Sequence, residues 1–226
     1  MSGTFGGTQA TDPDRDCPLC PRLVDFRYHH REENPIFFNA PVPSWHPSEA
    51  HGGLAASRLL IVGLAPGLRG ANRTGRPFTG DWAGDLLYAT LVKFGLAEGR
   101  YGADPADSLK LVDCSITNAV RCVPPQNKPL GAEINACRPF LLNTIEALPS
   151  LRAIVTLGKI AHDSTARTLG VRVAAVPFGH ARQQEMAGLQ VFSSYHCSRY
   201  NTNTNRLTPQ MFEDVFAAVR TYLGSQ

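Results

Sequence analysis

Four consecutive apolar residues at positions 59–62, Leu-Leu-Ile-Val, end abruptly at Gly63 and constrain the fold more than any other feature of the chain. A short, continuous apolar run bounded by glycine is typical of a strand that is buried on both faces of a parallel sheet. The residues that follow form a Gly-rich loop, GLAPG, at 63–67. Because ligands bind beyond the carboxyl ends of parallel strands, this loop is the first candidate site.

Strand and helix patterns alternate along the rest of the chain. The spacing of apolar residues predicts strands at 115–120, 153–157 and 190–195, and helices at 83–94, 132–147 and 159–169. A short apolar segment at 171–176 precedes the last strand, and a final helix begins after the Thr208 cap with Pro209 in its first turn. Strands separated by helices predict a three-layer α/β/α domain with a central, mostly parallel sheet.

The flanking composition suggests how the domain is bounded. Residues 1–16 are small and polar, so we expect a disordered N-terminal tail followed by one domain over 17–226. Four prolines between 34 and 53 predict an irregular arm over the surface. No apolar run is long enough to span a membrane and no secretory signal is recognisable, so we expect a cytoplasmic protein. We also expect a monomer. A net charge of +3 allows a nucleic-acid partner without identifying one.

Cysteine spacing points to a bound metal rather than to disulfides. The six cysteines are Cys17, Cys20, Cys114, Cys122, Cys137 and Cys197. Without a secretory signal a disulfide framework is disfavoured, and the close pair Cys17 and Cys20 is typical of a metal or cluster site. Among the others, Cys114 is expected to fill the core, and Cys197 to lie in a loop.

Two further loops at predicted strand ends carry polar side chains. Asn118 is followed by Arg121 and Cys122, and His196 is followed by the polar tract 198–206. Each residue also has an ordinary structural explanation: Asn118 suits a turn, and a single histidine is often only a hydrogen-bonded structural residue. Three such loops at three strand ends nevertheless favour one shared site.

The loop at 63–81, the segment TNAVRC at 117–122 and the segment HCSRYN at 196–201, in this order, resemble the uracil-DNA glycosylase superfamily. The arrangement of Cys17, Cys20, Cys122 and Cys137 resembles its iron–sulfur branch, families 4 and 5. Leu64 stands where family 4 has glutamate, which matches the GLAPG form of family 5.

That resemblance implies an enzyme that flips uracil out of DNA and hydrolyses its N-glycosidic bond, which initiates base excision repair. Phe78 would then stack on the extruded base, although a phenylalanine there also suits a core. Asn118 would pair its amide with a uracil carbonyl and ring N–H, and His196 would donate to the uracil oxygen that becomes negative. The resemblance makes the first loop a substrate-binding segment, comprising Gly63, Leu64, Ala65, Pro66 and Gly67.

The departure at Leu64 leaves water activation to another group. Asp81 is the nearest carboxylate in the matching segment and could activate water. It also stands where the helix that begins near Trp82 would place an N-cap, so helix capping is an equal alternative. In the superfamily, a proline often follows the histidine that His196 resembles, and here Cys197 stands in its place. A pocket without the acid is also expected to accept bases other than uracil, as the resemblance to family 5 implies.

Four cysteines allow either of two cofactors. The thiolates of Cys17, Cys20, Cys122 and Cys137 suit a [4Fe–4S] cluster or a structural zinc ion. Residue types do not separate these two, and the family resemblance favours iron. Such a cluster is expected to clamp the N-terminal arm to the domain rather than to perform redox chemistry.

DNA contacts are expected from loop residues, since phosphate contacts supply most non-specific affinity. The predicted DNA-binding residues are Arg73, Arg121, Arg199 and Asn201, with further loop arginines at Arg69, Arg76 and Arg206. Two rival interpretations exist. The first is a branch of the superfamily whose members stay covalently trapped on DNA and carry a basic, His-containing insertion after the first motif; the segment LRGANRTGRPF lacks a histidine, which disfavours this branch. The second is a non-catalytic, metal-stabilised nucleic-acid-binding module.

Overall fold

A five-stranded sheet forms the centre of the domain in this computed structural model, which describes residues 11–224. Along the chain the strands are β1 (Leu59–Gly63), β2 (Ala97–Glu98), β3 (Lys110–Leu111), β4 (Cys114–Asn118), β5 (Ala153–Leu157), β6 (Gln183–Met186) and β7 (Leu189–Ser194). The central sheet has the order β4-β1-β5-β7-β6, whereas β2 and β3 pair only with each other. All neighbours in the central sheet are parallel except β6 and β7, so the predicted mostly parallel sheet is confirmed.

Helices connect and cover these strands. They are α1 (Pro21–Glu33), α2 (Ala71–Thr74), α3 (Trp82–Lys93), α4 (Gly131–Glu146), α5 (Lys159–Thr168), α6 (Arg199–Asn203) and α7 (Pro209–Gly224). The long helices α3, α4, α5 and α7 lie where the apolar spacing predicts them. Helices α1, α2 and α6 and strands β2, β3 and β6 have no counterpart in the sequence-based prediction. The apolar segment at 171–176 contains a short 3-10 turn.

Both faces of the sheet are covered, which gives the three layers. Leu59 and Ile61 of β1 belong to a core built with α3 and α7, whereas Leu60 and Val62 belong to a core built with α4 and α5. None of these four side chains is exposed. Full burial of each such side chain stabilises the fold by about 1.5–3 kcal/mol, which explains why this segment is apolar without alternation.

The N-terminal segments differ from expectation. Residues 1–10 of the expected tail lie outside the described residues, but 11–16 contact the domain, so the expectation of disorder is wrong for them. The Asp12 carboxylate accepts hydrogen bonds from Arg121 (2.5 Å) and Ser44. The Pro-rich arm also contacts the sheet, because the backbone of Trp45 pairs with Ile116 of the edge strand β4. The arm thereby covers an edge that would otherwise be open to other strands. The division into tail and single domain otherwise stays a prediction.

The topology brings the polar loops together. Gly63 at the end of β1 is in register with Asn118 at the end of β4, and β7 ends on the same edge two strands away. Within 11–224, none of the helices has the length and hydropathy needed to cross a membrane.

Candidate active site

One pocket of about 440 Å³ lies at the carboxyl edge of the sheet. This volume is in the range of small-molecule sites. The residues of the predicted site that line it are Leu64, Ala65, Pro66, Gly67, Phe78, Asp81, Asn118 and His196. Residues that lie far apart in sequence thus meet around a single cavity, as the strand-end argument requires.

Gly63, which completes the predicted first loop, lies beneath the pocket side chains. A Cβ atom added at Gly63 would lie 2.3 Å from Oδ1 of Asn118 and 2.6 Å from Cζ of Phe78. The glycine is therefore required by the close approach of these two side chains. Asn118 itself is only 3% exposed, and its side-chain amide makes no hydrogen bond within the described part of the chain. Because Asn118 lines the pocket, its amide is available to pair with a ligand.

Phe78 adopts an unusual backbone conformation, with φ 55. A positive φ is strained for a bulky residue and persists only where the surroundings enforce it. Here Tyr88 donates a hydrogen bond to the carbonyl of Pro77, and a Cβ at Gly84 would lie 2.0 Å from the Phe78 carbonyl oxygen. The strained backbone directs the Phe78 ring into the pocket, where it lies 6.1 Å from the His196 ring at an interplanar angle of 28°.

His196 follows β7 and is partly buried. Burial lowers its pKa to about 4, so the imidazole is neutral at physiological pH and offers one N–H donor. Its main chain is held by Asn201, whose Nδ2 donates to the His196 carbonyl at 2.8 Å. Asn201 thus uses one amide hydrogen to fix His196, while its expected DNA contact stays a prediction.

Asp81 precedes α3, but its side chain makes no hydrogen bond that caps the helix. Its carboxylate instead turns towards the first loop and accepts hydrogen bonds from the backbone N–H groups of Ala71 and Gly67. A Cβ at Gly70 would lie 1.9 Å from its Cγ atom. Burial raises the pKa of Asp81 above its usual value despite these hydrogen bonds. The capping explanation is therefore wrong, and a carboxylate lies in the pocket.

Exposed arginines lie at and near the pocket, and one of them, Arg199, lines it. Arg199 lies over the Trp82 ring at 5.4 Å and Arg206 over the Tyr195 ring at 4.7 Å, distances typical of cation–π contacts. Arg73 is exposed, and its Nε donates to the Arg69 carbonyl. None of Arg73, Arg199 and Arg206 has a carboxylate partner among residues 11–224.

Two of the expected DNA-binding arginines are not available to DNA. Arg121 is 1% exposed, with Nη1 bonded to Asp12 and Nη2 bonded to Thr144 at 2.8 Å. Arg76 is buried and forms a bidentate pair with Asp107, which lowers the pKa of Asp107 to about 2. The DNA-binding prediction for Arg121 and Arg76 is wrong because both guanidinium groups are engaged in the interior.

The four cysteines of the predicted metal site line one small, mainly apolar cavity. Leu23, Val120 and Phe140 contribute to its walls. Burial, together with the neighbouring thiols, raises the pKa of Cys20 to about 11 and that of Cys122 to about 12. No group of three or more His, Cys, Asp or Glu residues in the described ranges forms a site for a single metal ion.

A buried arginine faces these cysteines. Arg27 of α1 is 2% exposed and has no carboxylate partner within the part of the chain that is described. Its Nη1 lies 3.8 Å from Sγ of Cys122, and its Nε has no hydrogen-bond partner among those residues. The backbone N–H of Arg121 also donates to Sγ of Cys137 at 3.3 Å. A buried cation without a counter-ion is costly, so this donor set fits an anionic group held by the four sulfurs.

The other two cysteines are fully buried. Cys114 donates to the Leu96 carbonyl in the core, as predicted for a core residue, and Cys197 lies in the loop after β7 and donates to the carbonyl of Ala83. The pocket residues that sequence reasoning missed include Trp82 and Asn127. Neither belongs to a polar cluster at a predicted strand end, so the pattern that identified the other residues gave no signal for them.

A comparison with family models identifies the class to which this fold and pocket belong. The model described as "Uracil DNA glycosylase superfamily" matches residues 49–220. The chain belongs to the uracil-DNA glycosylase superfamily.

Individual relatives narrow this assignment. The chain is 40% identical to a type-5 uracil-DNA glycosylase of Thermus thermophilus over 92% of this chain and 94% of that one. It is 41% identical to the type-5 enzyme of Mycobacterium tuberculosis over 92% of this chain and 78% of that one. A type-4 uracil-DNA glycosylase of Pyrobaculum aerophilum is 35% identical, but over only 59% of this chain. These similarities place the chain in the type-5 branch, as the form of the first loop predicts.

Proposed function

We propose that this protein hydrolyses the N-glycosidic bond of deoxyuridine in DNA and releases uracil as the first step of base excision repair. The observation that carries the proposal is the pocket itself, in which Phe78, Asn118 and His196 meet. A flipped base needs a face to stack on and hydrogen-bond partners for its Watson–Crick edge. The names of the type-5 relatives agree with this function.

Each side chain has a separate task in the proposed mechanism. Phe78 stacks on the extruded base, and Asn118 donates from Nδ2 to a uracil carbonyl while its Oδ1 accepts from the ring N–H. As the bond breaks, negative charge develops on the uracil ring. The neutral imidazole of His196 donates an N–H to the uracil oxygen and stabilises that charge. The sugar simultaneously gains positive character.

Asp81 orients the attacking water and accepts its proton. Its carboxylate is held by two backbone N–H groups, and burial raises its pKa, which makes it a better base than an exposed aspartate. Leu64 contributes no charge on its side of the pocket, and we propose that damaged or deaminated bases other than uracil are accepted for this reason.

We propose that Cys17, Cys20, Cys122 and Cys137 hold a [4Fe–4S] cluster. When bound, this group would tie the segment before α1 to the loop after β4 and to α4, and would not supply chemistry at the base. Arg27 is buried beside Cys122 and has no carboxylate partner among residues 11–224, which supports an anionic cluster. A structural zinc ion is the alternative, and the absence of a single-ion site in the described residues favours the larger cluster.

The DNA strand is proposed to run across the pocket mouth, between the exposed arginines Arg73, Arg199 and Arg206. Aromatic rings hold two of these guanidinium groups in place, which reduces the entropy lost on binding phosphate. Tyr200 is 72% exposed beside Arg199, and we propose that it fills the space vacated by the flipped base. A monomeric state and a cytoplasmic location remain part of the proposal.

The test is uracil release from a duplex with one uracil, without added metal or nucleotide. We expect the wild-type protein to be brown and active, and Asn118→Ala and His196→Ala to lose activity while retaining DNA binding. Wild-type activity in both variants would refute the assigned roles. Binding without any release by the wild-type protein would favour the alternative, a non-catalytic nucleic-acid-binding module, and a colourless zinc protein would refute the cluster.

A further inference from the structure

The mouth of the pocket contains an asparagine that belongs to none of the three polar strand-end clusters. Asn127 lies in the short 3-10 turn Pro125–Asn127, between β4 and α4, and lines the same cavity as Asn118 and His196. Unlike Asn118, which is buried at the end of β4, Asn127 is exposed. The pocket therefore has one amide at its base and a second amide at its entrance.

The turn around Asn127 is strained. Gln126 and Asn127 have φ values of 56 and 57, so two consecutive residues without glycine adopt the left-handed region. Such conformations are costly, and they are enriched at sites where a side chain must be directed towards a ligand. Only the second of the two, Asn127, lines the pocket.

Contacts with α1 and α4 hold this turn. Arg22 of α1 donates from Nη2 to the carbonyl of Lys128 at 3.1 Å, and forms a bidentate pair with Glu133 of α4 at 2.7 Å for both bonds. Glu133 also accepts a hydrogen bond from the backbone N–H of Leu130. Arg22 follows Cys20 by two residues, so the helix that begins directly after the close cysteine pair also holds the turn at the pocket entrance.

The side-chain amide of Asn127 has no hydrogen-bond partner within residues 11–224. A base that reaches Asn118 must enter the pocket fully, because Asn118 is 3% exposed. The part of the extruded nucleotide that remains at the entrance is then its sugar and phosphate. Asparagine amides are common donors to phosphate oxygens in DNA complexes.

We propose that Asn127 is a substrate-contacting residue that donates a hydrogen bond from Nδ2 to the sugar–phosphate backbone of the extruded nucleotide. This inference rests on the proposed glycosylase function and adds a contact to it. Because the contact is to the backbone, it does not depend on which base is extruded.

The test compares Asn127→Gly with Gln126→Gly. Glycine relieves the strain of a left-handed residue at either position, so both variants gain backbone freedom and lose a side-chain amide, but only Asn127→Gly loses an amide that lines the pocket. We expect Asn127→Gly to lower the single-turnover rate on the order of tenfold, the value of one hydrogen bond to a charged group, and Gln126→Gly to remain near wild type. Asn127→Asp is expected to lose more than Asn127→Gly, because its charge repels the phosphate.

The rates are measured on duplexes with uracil and on a second base that the wild-type protein releases. Equal fractional losses on both substrates support a backbone contact. A loss restricted to one base, an unchanged rate for Asn127→Gly, or equal losses in the two glycine variants would each overturn the proposal. A wild-type protein that releases no uracil would instead overturn the proposed function.

Discussion

Burial acts in opposite directions on the two titratable groups of the pocket. It raises the pKa of Asp81 and lowers that of His196 to about 4. A carboxylate is thereby made a better base, and an imidazole is kept neutral, so that the pair matches the two tasks proposed for it. Both effects depend on the strand-end geometry, which places two unrelated loop residues against the same cavity.

Replacing Asp81 by asparagine tests whether the carboxylate activates water. Asparagine is nearly isosteric and accepts the same backbone hydrogen bonds through its oxygen, so the fold is expected to be unchanged. Loss of a general base typically lowers a rate on the order of 100-fold or more. The measurement is the single-turnover rate of uracil release, with DNA affinity as the control. A wild-type rate would mean that water is aligned without this carboxylate.

The pKa of His196 predicts a specific pH dependence of stability. An unfolded histidine titrates near its ordinary value of about 6.5. Between that pH and about 4 the unfolded chain binds a proton that folded His196 does not bind, so stability falls as the pH falls through this window. We expect His196→Gln to remove this part of the slope in urea unfolding measured from pH 7 to pH 4. Identical slopes in the two proteins would show that His196 is not kept neutral.

At the scale of the elements, the strand ends form the pocket because glycine leaves room for it. We expect Gly63→Ala to displace Asn118 and Phe78, since its Cβ atom would overlap both. Overpacking of this kind costs about 1–3 kcal/mol of stability, and the displaced site is expected to lose more than tenfold in uracil release. Gly131→Ala is the matched control, because nothing lies within 4 Å of its Cβ position. A Gly63→Ala protein as active as this control would contradict the tight packing.

Helix α1 links the cysteines to a buried charge. If the cluster is present, Arg27 stabilises its more negative, reduced form. We therefore expect Arg27→Met to make the reduction potential more negative and to speed loss of the visible absorbance in air, while Arg27→Lys keeps most of the wild-type potential. The exposed Arg172→Met is the control for net charge. The measurement is a spectroelectrochemical titration, and a potential unchanged in Arg27→Met would refute a role for Arg27 as counter-ion.

The same helix shows where sequence reasoning fails. Its buried positions include Leu23, Arg27 and His30, spaced as on one helical face, but two of the three are polar. An apolar period is therefore absent, although the helix is present. By contrast, β1 is a continuous apolar run and β5 is apolar except at Thr156, and the predicted bounds of both strands agree with the structure to within one residue.

At the scale of the whole molecule, the site could be predicted as a set of residues but not as a distribution of charge. Arg121 and Arg199 both follow strands in polar loops, so their sequence signals are equivalent. Arg121 is buried because Asp12, more than 100 residues earlier, supplies its counter-ion. Arg199 is exposed, lines the pocket and lies over the ring of Trp82. Such long-range pairings are set by the tertiary fold and leave no local pattern.

Because Arg76 and Arg121 are held by acids in the interior, the loop arginines left for phosphate contacts are exposed ones such as Arg199 and Arg206. Each exposed arginine that contacts a phosphate releases about one counterion, so we expect Arg199→Ala and Arg206→Ala each to reduce the slope of log affinity against log salt by about one. Arg172→Ala, at an exposed position in a segment between α5 and β6, is expected to leave that slope unchanged.

Arg121→Ala is expected to destabilise the fold by about 3–5 kcal/mol, because it leaves Asp12 without its partner, and to alter the salt slope little. The measurements are titrations of a fluorescent duplex at several salt concentrations together with urea unfolding. A salt slope reduced by Arg121→Ala and unaffected by Arg199→Ala and Arg206→Ala would contradict this assignment of the charges.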